Sequence, residues 1–214
     1  LESRSGQTMT GKLSMPAAGI EGGLKVVAVP PDKVLLTVAI PGLGEIRQGF
    51  DGETAWTLDP MTGPMVLDGP ARAQLEAQSR WDAALFPAER YDVQENLGEV
   101  EFAGAPAWRV RMVTKSGVET HEYFDLESGL QVGNEIEAAT PLGKIRAVST
   151  LSDYREFDGI RLPTRIEQDL GPQGKQIMTI EDVVVGDVDP ALFELPDPIR
   201  AMVAPSAPSA PAED

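Results

Sequence analysis

A period-2 alternation of apolar and polar residues, cut into short runs by turn chemistry, constrains this chain more than any other feature. Met9, Leu13 and Met15 fall on one parity, as do Val34, Leu36, Val38 and Ile40. Trp108, Val110 and Met112 alternate with Arg109 and Arg111, and the runs Ile145–Ala147–Leu151 and Ile160–Leu162–Ile166 repeat the pattern. Side chains spaced this way stand on opposite sides of a pleated ribbon, so each run reads as a half-buried strand. The breaks are Pro30-Pro31-Asp32, Pro41-Gly42, Asp51-Gly52, Ser116-Gly117, Ser128-Gly129, Asp158-Gly159 and Gly171-Pro172. These residues set the backbone for tight turns. Their spacing gives hairpins and about ten or eleven strands.

One stretch breaks the alternation. Pro70 to Leu85 is rich in Ala, Leu, Gln and Glu, all good helix formers. Asp68-Gly69-Pro70 supplies a start and Phe86-Pro87 a stop. Leu75, Trp81 and Leu85 make an apolar stripe at helical spacing. Nothing else repeats a strand–helix–strand unit, so the helix is expected to lie against an antiparallel sheet. A second helical turn is expected at Asp189 to Phe193. The last eighteen residues, 197–214, are dominated by Pro, Ala and Ser and read as a tail following a domain of residues 1–196.

Charge and composition exclude several functions. The 214 residues carry 34 acidic against 18 basic side chains, a formal charge of −16. That balance repels nucleic-acid backbones and anionic lipid surfaces. There is no Cys and one histidine, His121, in Glu119-Thr120-His121-Glu122-Tyr123. Thiolate chemistry and ordinary zinc sites are therefore out of reach. No Gly-x-Ser-x-Gly elbow is present, and none of the 21 glycines forms a dinucleotide or phosphate-binding pattern. His121 reads as a strand histidine, and Asp182, Asp187 and Asp189 as loop acids lacking a calcium-loop spacing. No catalytic residue, metal site or cofactor is expected. No apolar run reaches the roughly 18 residues of a membrane helix. The distinctive inventory is apolar: seven methionines and three tryptophans. Methionine adapts to varied apolar ligands.

The order of these elements resembles the bacterial outer-membrane lipoprotein-sorting (LolA/LolB-like) family. The most specific segment is Gln48 to Pro60, with Asp51-Gly52, Trp56 and Asp59-Pro60 in the order of a family hairpin. Pro30-Pro31-Asp32-Lys33 resembles the entry to its third strand. Tyr123 to Leu130 resembles a later turn, Leu151 to Pro163 a signature run, and Phe193-Glu194-Leu195-Pro196 the usual ending. Together the likeness covers about residues 8 to 196.

The resemblance implies a mainly β (α+β) fold: a strongly curved antiparallel sheet forming an unclosed half-barrel, with one main helix and short helical turns on the concave face. It implies a periplasmic, non-enzymatic protein, its export signal removed ahead of Leu1. The ligands would be acyl chains of lipids or lipoproteins, held between sheet and helix. Trp56, Leu58, Leu75, Trp81, Phe86, Trp108 and Met112 are expected to border that cavity, with Leu75 and Trp81 as lid. Trp56, on the parity of Phe50 and Leu58, is expected to face the helix. The family's arginine latch has three candidates, Arg47, Arg72 and Arg80. The alternative is a structural or interaction subunit of a membrane-associated assembly that fills the cavity with its own side chains and docks on membrane-bound protein partners.

Overall fold

Every alternating run pairs with a neighbour in one antiparallel sheet. The structure, a computed structural model, describes residues 6–79, 91–115, 117–140 and 143–203. In chain order the strands are β1 (Gln7–Met15), β2 (Ile20–Val29), β3 (Lys33–Ile40), β4 (Gly44–Phe50), β5 (Ala55–Asp59), β6 (Gly63–Leu67) and β7 (Tyr91–Phe102). They continue as β8 (Ala105–Thr114), β9 (Glu119–Asp125), β10 (Gln131–Thr140), β11 (Gly143–Phe157), β12 (Ile160–Asp169) and β13 (Lys175–Val185). Helix α1 spans Gly69–Ser79, and a short helix, α2, spans Asp197–Val203. The sheet order is β6-β5-β4-β3-β2-β1-β13-β12-β11-β10-β9-β8-β7. Two hairpin meanders are thus joined by one non-local pairing, β1 with β13. The sheet is not closed: β6 and β7, consecutive in the chain, are its two free edges. The connection that carries α1 therefore runs from one edge to the other.

The expected class holds, with 13 strands among the described residues rather than ten or eleven. The strands least announced by alternation are the edges. Gly63 and Pro64 open β6, where Pro64 pairs with Leu58. Proline removes a ladder donor and is tolerated on an edge. β7 is rich in acids, and its register slips between Tyr91 and Val93 and again between Asn96 and Glu99. Such bulges twist and terminate edges.

Register sorts the core into two layers. Val27 pairs with Leu35, Gly49 with Trp56, and Trp56 with Val66. Cross-strand partners share a face, so these residues point one way. Ala28 pairs with Val34, Val34 with Phe50, Phe50 with Ala55, and Ala55 with Leu67, and these point the other way. The second set packs with Leu75 of α1. The first packs with Phe193 and Ile199 from the C-terminal segment. α1 and the C-terminal turns therefore cover opposite faces of β2–β6.

The turn expected at Asp189–Phe193 is a 3-10 turn over Pro190–Phe193, started by Asp189 Oδ1 accepting from the Ala191 N–H. The boundary expected after residue 196 is corrected. Asp197–Val203 is helical, and Ile199 is fully buried against Trp56 and Val27. Asp197-Pro198 is a helix start, and burial of Ile199 fixes the turn that follows. Residues 204–214 lie outside the described residues.

Candidate functional site

The site is built from the face that carries α1. Leu75 is almost fully buried on Ala28, Val34, Phe50 and Ala55. One turn before it, the Arg72 guanidinium lies 5.7 Å from the centre of the Phe50 ring. One turn after it, buried Ser79 donates its hydroxyl to the Glu76 carbonyl at 2.7 Å and lies 3.5 Å from the Pro31 carbonyl. Residues 72, 75 and 79 share one side of a helix, and that side holds α1 to the sheet.

Next to α1 the same face continues through a second apolar cluster. Leu13, Leu24 and Val38 are buried there with Met15, Leu36, Ile40, Ile46 and Met178 around them. The ladder then carries the face into the second meander: Met178 pairs with Ile166, and Ile166 with Leu151. Farther along, Ile136 pairs with Thr120, Thr120 with Met112, and Phe124 with Trp108. Leu151, Ile166, Ile136, Phe124, Met112 and Trp108 are each only half-buried. An apolar surface that is neither sealed nor scattered is the kind that takes an apolar ligand.

The opposite face of the second meander is ionic. Arg111 pairs with Glu119 at 2.7 Å and with Glu95 at 3.5 Å. Arg146 donates from Nε and Nη2 to both oxygens of Glu135 at 2.5 Å. Those hydrogen bonds hold the Glu135 carboxyl below its ordinary range, with a further donation from the Tyr123 hydroxyl. Burial, then the Glu135 charge, pushes the Tyr123 phenol up. The Phe102 and Tyr123 rings stack at 4.0 Å. Arg109 stands opposite Tyr123, its buried Nε without an acceptor among the described residues. His121 Nε2 is 4.0 Å from Glu119 Oε1. Among the described residues no group of three His, Cys, Asp or Glu is placed to hold a metal ion.

The seven residues expected at one cavity separate. Leu75, Trp108 and Met112 lie on the helix-bearing face. Trp56 and Leu58 do not, which corrects the expectation that Trp56 faces the helix. Phe50 pairs with Ala55, so Phe50 and Trp56 point to opposite sides despite equal parity. Parity is lost at the turn, because the Asp51–Thr54 loop resets which side an even-numbered residue occupies. Trp56 is 1% exposed and packs with Val27, Leu35, Phe193 and Ile199. The crevice beside it, lined by Leu35, Gly49, Leu192 and Phe193, has no water-sized volume. Trp81 and Phe86 lie outside the described residues. Of the arginines, Arg47 lies over the Trp56 ring at 5.7 Å, away from α1, and Arg72 sits on α1 itself. Arg80 is outside the described residues. Sequence reasoning missed Phe124, Ile136, Leu151, Ile166 and Met178 as site neighbours. Their alternation was legible, but which runs become neighbours was not.

No family model and no curated protein matches this sequence. Solved structures do match the fold. A LolA superfamily protein from Nitrosomonas europaea aligns at TM-score 0.62 and 14% identity, over 91% of this chain and 92% of its own. A DUF1329 family protein from Desulfovibrio piger aligns at 0.63 and 11%, over 90% and 91%. An outer membrane lipoprotein-sorting protein domain from Vibrio parahaemolyticus aligns at 0.58 and 12%, over 88% and 89%. The architecture is the LolA-like fold.

Proposed function

From a LolA-like fold with one apolar, helix-bearing face, we propose that this chain is a periplasmic binder or carrier of acyl chains of lipids or lipoproteins. The observation that carries the reading is the continuity of half-buried apolar side chains from the α1 contact, through Met178 and Ile166, towards Met112 and Trp108. The named neighbours supply the class: two are described as LolA superfamily and lipoprotein-sorting proteins. Leu75 sits where helix meets sheet, and Trp108 and Met112 form part of the far wall. Trp81 is proposed as a lid residue and Phe86 as a further residue bordering the ligand. Trp56 and Leu58 are assigned to the structural core instead.

The energetics suffice without charged chemistry. Each buried methylene contributes about 0.8 kcal/mol, so a dozen or so offer roughly ten kcal/mol before the costs of association. The charge of −16 keeps copies of a protein with a greasy face apart. Among the described residues no helix is long and apolar enough to cross a membrane.

The decisive experiment is organic extraction of natively purified protein with mass spectrometry of the extract, alongside uptake of a fluorescent fatty acid. Bound lipid, and uptake abolished by Val110→Asp on the Trp108–Met112 wall, are the expected results. An empty extract with no uptake by the parent protein overturns the carrier reading and leaves the interaction-subunit alternative.

A further inference from the structure

The two free edges of the sheet are treated unequally. β6 has five residues, contains Pro64, and has α2 packed beside it. β7 has twelve residues and, among the described residues, β8 as its sole strand neighbour. It carries Asp92, Glu95, Glu99 and Glu101, all exposed, and no Lys or Arg between residues 91 and 102. Glu95 is engaged by Arg111. The side chains of Glu99 and Glu101 have no hydrogen-bond or ion-pair partner among the described residues. Register places both on one face, opposite Trp108 and Pro106. Beside them is an open surface depression of about 350 Å³ lined by Glu99, Val100, Glu101, Gly104 and Pro106.

We propose that the Glu99–Phe102 half of β7 accepts an extended basic segment of a partner protein as an added strand, with a lysine or arginine of that segment seated between Glu99 and Glu101. An edge strand offers every second N–H and C=O outward, and a peptide that pairs with it takes its specificity from side-chain pockets. Pro106, across the ladder from Glu101 on the same face, suits the aliphatic stem of a long basic side chain while the two carboxylates meet its head. The second bulge marks where the pairing begins: Gly98 N–H is turned to the Asn96 side chain at 2.8 Å, and regular register resumes at Glu99. Acidic side chains and bulges guard an edge against a second copy of the same chain. Against a basic strand the same carboxylates attract, so one feature rejects self and selects the partner.

The inference does not rest on acyl-chain binding: it uses the outward backbone groups of β7 and two carboxylates, although Glu99 shares a face with Trp108. Its test is titration of isotope-labelled protein with a blocked peptide alternating lysine and valine, followed by amide shifts and hydrogen exchange. The control has the same sequence with alternate backbone nitrogens methylated, which keeps the charge and removes strand pairing. Shifts and new protection confined to residues 99–102, and binding at least about tenfold weaker for the methylated control and for Glu99→Lys/Glu101→Lys, are expected. Equal binding of the two peptides, or unchanged binding to a folded double variant, overturns it: the first result means general attraction to an acidic protein, the second a different surface. Fatty-acid uptake by the parent protein, measured without peptide, tests the carrier reading separately, so failure of this site and failure of that reading are distinguishable.

Discussion

Trp56 shows what a residue's surroundings decide. Gly49 lies directly across the ladder from it, and a Cβ added there would stand 2.5 Å from two atoms of the indole. Glycine is needed at 49 because the ring covers the backbone. Gly49→Ala is expected to cost about 1–3 kcal/mol, the ordinary penalty of overpacking, read from urea melts. Trp56→Ala is expected to cost about 3–5 kcal/mol. Acyl-chain uptake per folded molecule should stay unchanged, since Trp56 faces away from α1. A parallel loss of uptake would return Trp56 to the ligand site. Trp108 is expected to behave the other way. Its side chain is half-buried on the helix-bearing face, so Trp108→Ala should lower fatty-acid uptake about tenfold while costing about 1 kcal/mol of stability.

At the scale of elements, the C-terminal segment acts as a structural strap. Phe193, Leu195 and Ile199 pack on the side of β2–β6 that α1 leaves uncovered. Arg200 secures the helix start, donating to Asp197 Oδ1 at 3.0 Å and to the Leu195 carbonyl at 2.9 Å. Ile199→Ala is expected to cost about 2–5 kcal/mol in a denaturant melt, as a fully buried isoleucine does. Truncation after residue 196 should destabilise at least as much. A truncated chain as stable as the parent would show that 197–203 is the dispensable tail its Pro-Ala-Ser neighbourhood suggested. The composition after Ala204 masked a short helix whose one buried side chain outweighs its surroundings.

Across the whole molecule the sheet separates two chemistries. Apolar residues of the second meander face the α1 side, and the ion pairs of Arg111 and Arg146 face the other. The Arg146–Glu135 pair gives a pH dependence with a definite sign. Glu135 is held below its ordinary range chiefly by hydrogen bonds from Arg146. A carboxyl depressed on folding contributes stability above its unfolded value of about 4.3, and that contribution is lost as pH falls through the lower folded value. Arg146 is 65% exposed, so solvent screens the pair and its worth is about 1 kcal/mol or less. Arg146→Ala should therefore be less stable than the parent at pH 7, the two converging as Glu135 protonates. A gap that persists unchanged at acid pH would assign the effect to packing.

Alternation and turn residues by themselves determined that the chain is antiparallel β with one main helix, because those signals depend only on neighbours a few positions apart. The order of Asp51-Gly52, Trp56, Asp59-Pro60 and the later turns was enough to indicate a LolA-like fold. Only the tertiary structure decided which face each run presents and what covers it. Val110 and Arg109 declare opposite sides within one strand, but nothing local fixes how the sides of β4 and β5 align across the Asp51–Thr54 turn. Nor does local pattern show that β1 meets β13, which brings the two meanders into one sheet. Those choices depend on contacts between residues far apart in the chain. They place Trp56 under Ile199 rather than under α1.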